Sequence, residues 1–138
     1  MSEPITKTVA LRNIVKGVLD GVVTPSVGDN PVPTMKVYYQ QAEKDHATKY
    51  IVYTLDEILR EDERTTLELE VNVMDYGTDT SAAETLADKI QAAFDKLVQI
   101  TEAIGVYFYI DRRNSPTEQD RLIIRRRLTF TTYLYERR

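Results

Sequence analysis

The chain has 138 residues, a length at which one domain buries roughly two-thirds of the surface its unfolded form exposes. Apolar residues make up 42% and charged residues 29%, which is globular composition and excludes a disordered or fibrous chain. The absence of cysteine and the single histidine, His46, exclude disulfides, thiol nucleophiles, Cys-based zinc sites and two-His metal sites within one chain, and a net charge of -4 gives no overall pull toward nucleic acid.

Leu11, Ile14, Val15, Val18 and Leu19 recur at helical spacing, and Pro4 suits a first helical turn. A helix is therefore expected over 3–20, with Gly21 as its stop. Pro25, Pro31 and Pro33 exclude helix from 22 to 33 and predict an extended loop. Met35, Val37 and Tyr39 alternate with Thr34, Lys36 and Tyr38, which reads as a short strand. The stretch 50–55 is β-branched and aromatic, a second strand, and the charged residues 56–63 read as a loop or single turn.

Alternation is strictest over 65–74. Leu67, Leu69, Val71 and Val73 share one face, and Thr66, Glu68, Glu70 and Asn72 the other, so one face meets a core and the other meets water or a partner. Residues 75–79 read as a turn. Ser81 and Glu84 match the capping box, and Ala83, Leu86, Ala87, Ile90, Phe94 and Leu97 form an apolar stripe. These predict a helix over 81–103, ended by Gly105. Val106, Phe108 and Ile110 mark a fourth strand, Asn114-Ser115-Pro116 a loop, and 122–135 the last strand. The order α-β-β-β-α-β-β predicts an α+β fold over a single domain, 1–138. Its antiparallel or mixed sheet has about five strands, with two main helices on one face.

The final strand is long for its domain. Extended, Asp120 to Tyr135 reaches roughly 50 Å, against roughly 35–40 Å across a compact chain of this length. A β-bulge near Arg125–Arg127 would bend it over the sheet. Alternatively, the hairpin 106–135 projects as an oligomerisation arm that pairs with a neighbouring subunit. The two readings are compatible.

Catalytic vocabulary is sparse. His46 has no serine near it in sequence and reads as a solvated loop residue. Asp75, Thr78 and Asp79 lack the twelve-residue calcium pattern and read as turn formers. The five glycines build no phosphate-binding loop. No catalytic, cofactor-binding or metal residue is therefore assigned. No apolar run reaches the ~18–20 residues of a membrane span, and MSEPITKT lacks the layout of a signal peptide. Positive charge gathers late in the chain, in Arg112, Arg113, Arg125, Arg126 and Arg127, while 57–70 is acidic. Pairing between strands of opposite sign, complementarity between identical subunits and nucleic-acid contact all remain open readings of that pattern. Tyr107, Tyr109, Tyr133 and Tyr135 fit a second sheet face or an interface.

Three stretches, LRNIVKGVLDGVV, LELEVNVMDYGTDTSAAETLADKIQAAF and IGVYFYIDRRNSPTEQDRLIIRRRLTFTTYLYERR, together resemble the tail completion or tail terminator proteins of tailed bacteriophages and prophages, also called head–tail joining or minor tail proteins. The resemblance rests on element order and texture over nearly the whole chain. It implies an α+β subunit forming a homo-oligomeric ring, commonly a hexamer, that caps the tail tube and docks on the head–tail connector. It implies no enzyme activity and no cofactor, a place in the virion tail after assembly in the host cytoplasm, and DNA contact only if the ring lumen passes the genome. With a ring, the candidate subunit or partner contacts are Arg112, Arg113, Arg125, Arg126, Arg127, Tyr133 and Tyr135, with Glu68 and Glu70 as acidic counterparts. Loops 24–33 and 40–48 are candidates for partner contact. The competing expectation is a non-catalytic small-ligand-binding or regulatory module, marked by an apolar pocket between helices and sheet.

Overall fold

The computed structural model describes residues 7–24, 35–45, 47–76, 80–102, 104–115 and 123–136. Two helices, α1 (Lys7–Val23) and α2 (Ser81–Phe94), accompany six strands: β1 (Lys36–Tyr39), β2 (Tyr50–Arg60), β3 (Arg64–Tyr76), β4 (Val98–Ile100), β5 (Ile104–Asn114) and β6 (Ile123–Glu136). The strands form one sheet in the order β1-β2-β3-β6-β5-β4. Only the β1–β2 pair is parallel; β2–β3, β3–β6, β6–β5 and β5–β4 are all antiparallel. This is an α+β fold with a mixed sheet.

Both helices lie on the same sheet face, because their apolar stripes meet a single core. Leu11, Val15, Leu19 and Val23 of α1 and Ala83, Ala87, Ile90 and Phe94 of α2 are buried with Leu67, Leu69, Val71 and Val73 of β3. Leu128, Phe130 and Leu134 of β6 and Val106 and Phe108 of β5 complete it. Phe94 is the hub, its ring centroid 5.2 Å from those of both Phe108 and Phe130. The alternation read over 65–74 therefore puts its apolar face under the helices and its Glu68–Glu70–Asn72 face on the opposite side.

Several expectations are corrected. Helix α1 runs through Gly21 to Val23, since burying Val23 offsets the ~1 kcal/mol that a helical glycine costs. The charged segment 56–63 is mostly strand: β2 continues to Arg60, and its charges suit an exposed edge. Helix α2 ends at Phe94, not 103. Lys96, at φ 65°, turns the chain, and β4 follows as a sixth strand. The capping box does not form: the N-cap is Thr80, with no side-chain capping bond, and Glu84 is drawn to arginines instead. Strand β6 pairs with β3 without interruption from Ile123 to Tyr135, so it carries no bulge at Arg125–Arg127. The extra residue is Asp111 on β5, where the register shifts between Ile110 and Arg112. Over its described residues the 106–135 hairpin lies inside the sheet, with β6 between β3 and β5. A 14-residue strand is accommodated because β3, with 13 residues, matches it along its length.

His46, Thr78, Asp79, the proline loop 25–33 and the loop residues 116–119 lie outside the described residues.

Candidate assembly surface

Strand register sorts the late arginines onto two faces. Arg126 stands opposite Val73 and Arg113 opposite Leu128, both on the helix-covered face. There they converge on the first turn of α2. Arg126 Nε donates to Glu84 Oε1, Arg113 Nη2 donates to Glu84 Oε2 at 2.7 Å, and Arg113 Nη1 donates to Asp88 Oδ1 at 2.6 Å. The Arg126 side chain is only 14% exposed, so Glu84 neutralises a largely desolvated charge. Hydrogen bonding from Arg126, and then the nearby charges of Arg126 and Arg113, hold the Glu84 carboxyl below its ordinary pKa. Arg126, a charged residue on the otherwise apolar core face of β6, thus acts as a clamp between sheet and helix.

Arg112, Arg125 and Arg127 stand on the opposite face, among the acidic residues of β3. Arg125 Nε donates to Asn72 Oδ1 at 2.8 Å, and Asn72 Nδ2 donates to Glu70 Oε1 at 3.0 Å. Glu70 Oε1 also lies 3.6 Å from Arg127 Nε and 3.7 Å from Arg125 Nη2. Arg112 pairs with Glu68 at 3.3 Å. The segregated charges of the sequence are thereby brought together inside one subunit, as cross-strand pairs.

Tyrosines occupy the same face beside this network. Tyr107 pairs across to Tyr133, and Tyr109 to Thr131. The Tyr109 and Tyr133 hydroxyls are 3.1 Å apart, and that shared hydrogen bond raises the Tyr133 pKa. Arg64 lies over the Tyr133 ring, 4.6 Å from its centroid. Tyr135, opposite Arg64, is exposed. Among the described residues no helix covers this face.

The sheet edges carry residues that the sequence reading did not select. Ile58 and Leu59 on β2, and Val98 and Ile100 on β4, are exposed large apolar side chains. The first pair was hidden in a segment read as loop and the second in a segment read as helix. The available signal was an Ile-Leu pair set in a run of charge.

On the helix side, a cleft of about 510 Å³ lies between the C-terminus of α1, the start of α2 and the end of β3. Val22, Met35, Met74 and Leu86 line it, with Lys49 and Lys89. Asp75, 7% exposed, also lines it, and its Oδ1 has no hydrogen-bond partner among the described residues. No group of three or more metal-ligating side chains occurs among the described residues. No described helix is long and apolar enough to cross a membrane.

The chain matches no protein-family model, and no curated protein matches it significantly.

Proposed function

We propose that this chain is a structural subunit of a phage or prophage tail, of the tail completion or terminator kind. It forms a ring, hexameric in this reading, at the head-proximal end of the tail and joins it to the head connector. The observation that supports this most is a six-stranded sheet with both helices on one face and, among the described residues, no helix on the other and no partner strand along its outer edges. Tyr107, Tyr109, Tyr133 and Tyr135 give that face the amphipathic, low-entropy contact area favoured at protein interfaces. The arginines serve as its polar component, partly offset by Glu68, which pairs with Arg112, and by Glu70, which Arg125 and Arg127 share.

Co-assembly tests the proposal. Purified chain mixed with tail-tube protein is expected to appear as rings and tube caps in negative-stain micrographs. Bare tube ends at saturating chain would reject it. Charge reversal of Arg125 and Arg127 is a poor probe, because the new carboxylates would face Glu70 within the same sheet.

A second reading, a small-ligand-binding module, draws on the cleft beside Asp75, whose volume is within the usual range for ligand sites. A saturable rise in melting temperature with a metabolite, without change in oligomeric state, would favour it over the structural role.

A further inference from the structure

The part of β2 beyond the reach of β1 and the end strand β4 are matched in direction. Four successive antiparallel pairings connect β2 to β4, so the two strands run the same way. Their exposed apolar residues also fall at the same level. Leu59 pairs with Thr66, Thr66 with Tyr133, Tyr133 with Tyr107, and Tyr107 with Val98, in one unbroken row. The next row back toward the middle of the sheet runs from Glu57 through Leu67 and Thr132 to Phe108, whose carbonyl accepts the Lys96 N–H. Glu57, which Arg60 of its own strand already bridges, is thus level with the Lys96–Leu97 turn on the other edge.

Exposure marks the same places. The four most exposed large apolar side chains among the described residues are Ile100 at 65%, Ile58 at 59%, Val98 at 57% and Leu59 at 52%, and all lie on these two strands. The edges also have room. Strand β1 covers β2 only from Tyr50 to Tyr53, and the residues after it have no partner strand on their outer side among those described. Strand β4 ends the sheet.

We infer that the occupant of these edges is a second copy of the chain, joined head to tail, with β4 of one subunit alongside the 57–60 stretch of β2 in the next. This rests on the ring reading proposed above and specifies its subunit contact. A rotation about an axis roughly along the strands carries one edge onto the other at constant height, which places Val98 against Leu59 and Lys96 near Glu57. The incoming β4 runs parallel to β2, as β1 does, and continues the line of β1 along the same side. The contact is heterologous, so a closed ring leaves no apolar edge exposed.

The absence of cysteine makes the pairing directly testable. Leu59→Cys, Val98→Cys and the double variant are made, with the exposed Ala92→Cys as control, and treated with diamide. The double variant is expected to give a ladder of disulfide-linked oligomers. The two single variants are expected to crosslink only when mixed, and then only to a mixed dimer. Either single variant crosslinking alone as well as the mixture would overturn the head-to-tail pairing, as would a double variant no better than Ala92→Cys. Val98→Glu sets a carboxylate against the apolar Leu59 side chain of the neighbour at a position already in water, so it is expected to keep the fold and weaken assembly about tenfold or more. If the wild-type chain oligomerises and these variants have no effect, the edge contact fails and the ring reading stands. If the wild type stays a single subunit at every concentration, both alone and with tail-tube protein, both fail.

Discussion

Glu84 and Arg112 show how burial decides the weight of an ion pair. Glu84 binds Arg126 and Arg113, side chains 14% and 25% exposed, and ties α2 to the β5–β6 hairpin. Replacing it by Gln leaves two sheltered guanidiniums undercompensated and is expected to cost about 1–2 kcal/mol, discounted because Glu84 itself is partly solvated. Arg112→Ala breaks an exposed pair and is expected to cost no more than about 0.5 kcal/mol. Urea denaturation of the two variants separates these values. The Glu84 effect also has a pH sign. Its folded pKa is lowered, so its stabilisation is present above the unfolded value of about 4.3 and is lost as pH falls through the folded one. The gap between wild type and Glu84→Gln is therefore expected to shrink on going from pH 7 to about pH 3, and a constant gap would speak against the clamp. Thr132 is fully buried between Leu67 and Phe108, and its hydroxyl has no hydrogen-bond partner among the described residues. Thr132→Val removes that unpaired group at nearly constant shape and is expected to raise stability by about 1 kcal/mol. Phe94→Ala opens the hub of the core and is expected to cost about 3–5 kcal/mol.

At the scale of elements, the link from α2 to β4 shows both what the chain reveals and what it conceals. Asp95 N–H donates to Gln91 O, closing the helix, while Asp95 Oδ1 accepts the Ile110 N–H at 3.0 Å. Lys96 then takes a left-handed conformation at φ 65°. Lys96→Gly relieves that strain and is expected to leave stability unchanged or raise it by up to about 1 kcal/mol by thermal melting. Asp95→Ala, which orphans the Ile110 amide, is expected to lose about 1–2 kcal/mol. The sequence overstates the helix because Leu97 continues the apolar spacing of Phe94 and a lysine gives no hint of a positive φ. The strand β2 was read too short because edge strands tolerate charge, which sequence patterning takes for loop. By contrast, β3 and the first half of β5 are legible, since a one-sided core imposes strict alternation there, and β6 alternates apart from Arg126. The α+β class and the one-faced helix layer followed from those three strands and two helical stripes. The arginine cluster was visible as a cluster, but its division into a helix clamp and an open-face network depends on register, which composition does not carry. Ile58, Leu59, Val98 and Ile100 give no signal of their own, because the charge around the first pair patterns as loop and the apolar spacing before the second continues a helix.

Across the whole molecule, the described residues cover the sheet unevenly. Both helices pack on one face, while no described helix covers the tyrosine face and the β2 and β4 edges expose large apolar side chains. In the ring proposed above, those edges would be buried together. Loss of assembly on altering Val98, with the melting temperature of the dissociated subunit unchanged, separates interface from fold. The most direct test of the ring is native mass spectrometry of the wild-type chain over a concentration series, alone and with tail-tube protein. A ring-forming subunit gives one discrete oligomer, six copies in the proposed form, that grows at the expense of the single subunit. A single-subunit mass at every concentration, in both mixtures, would contradict it.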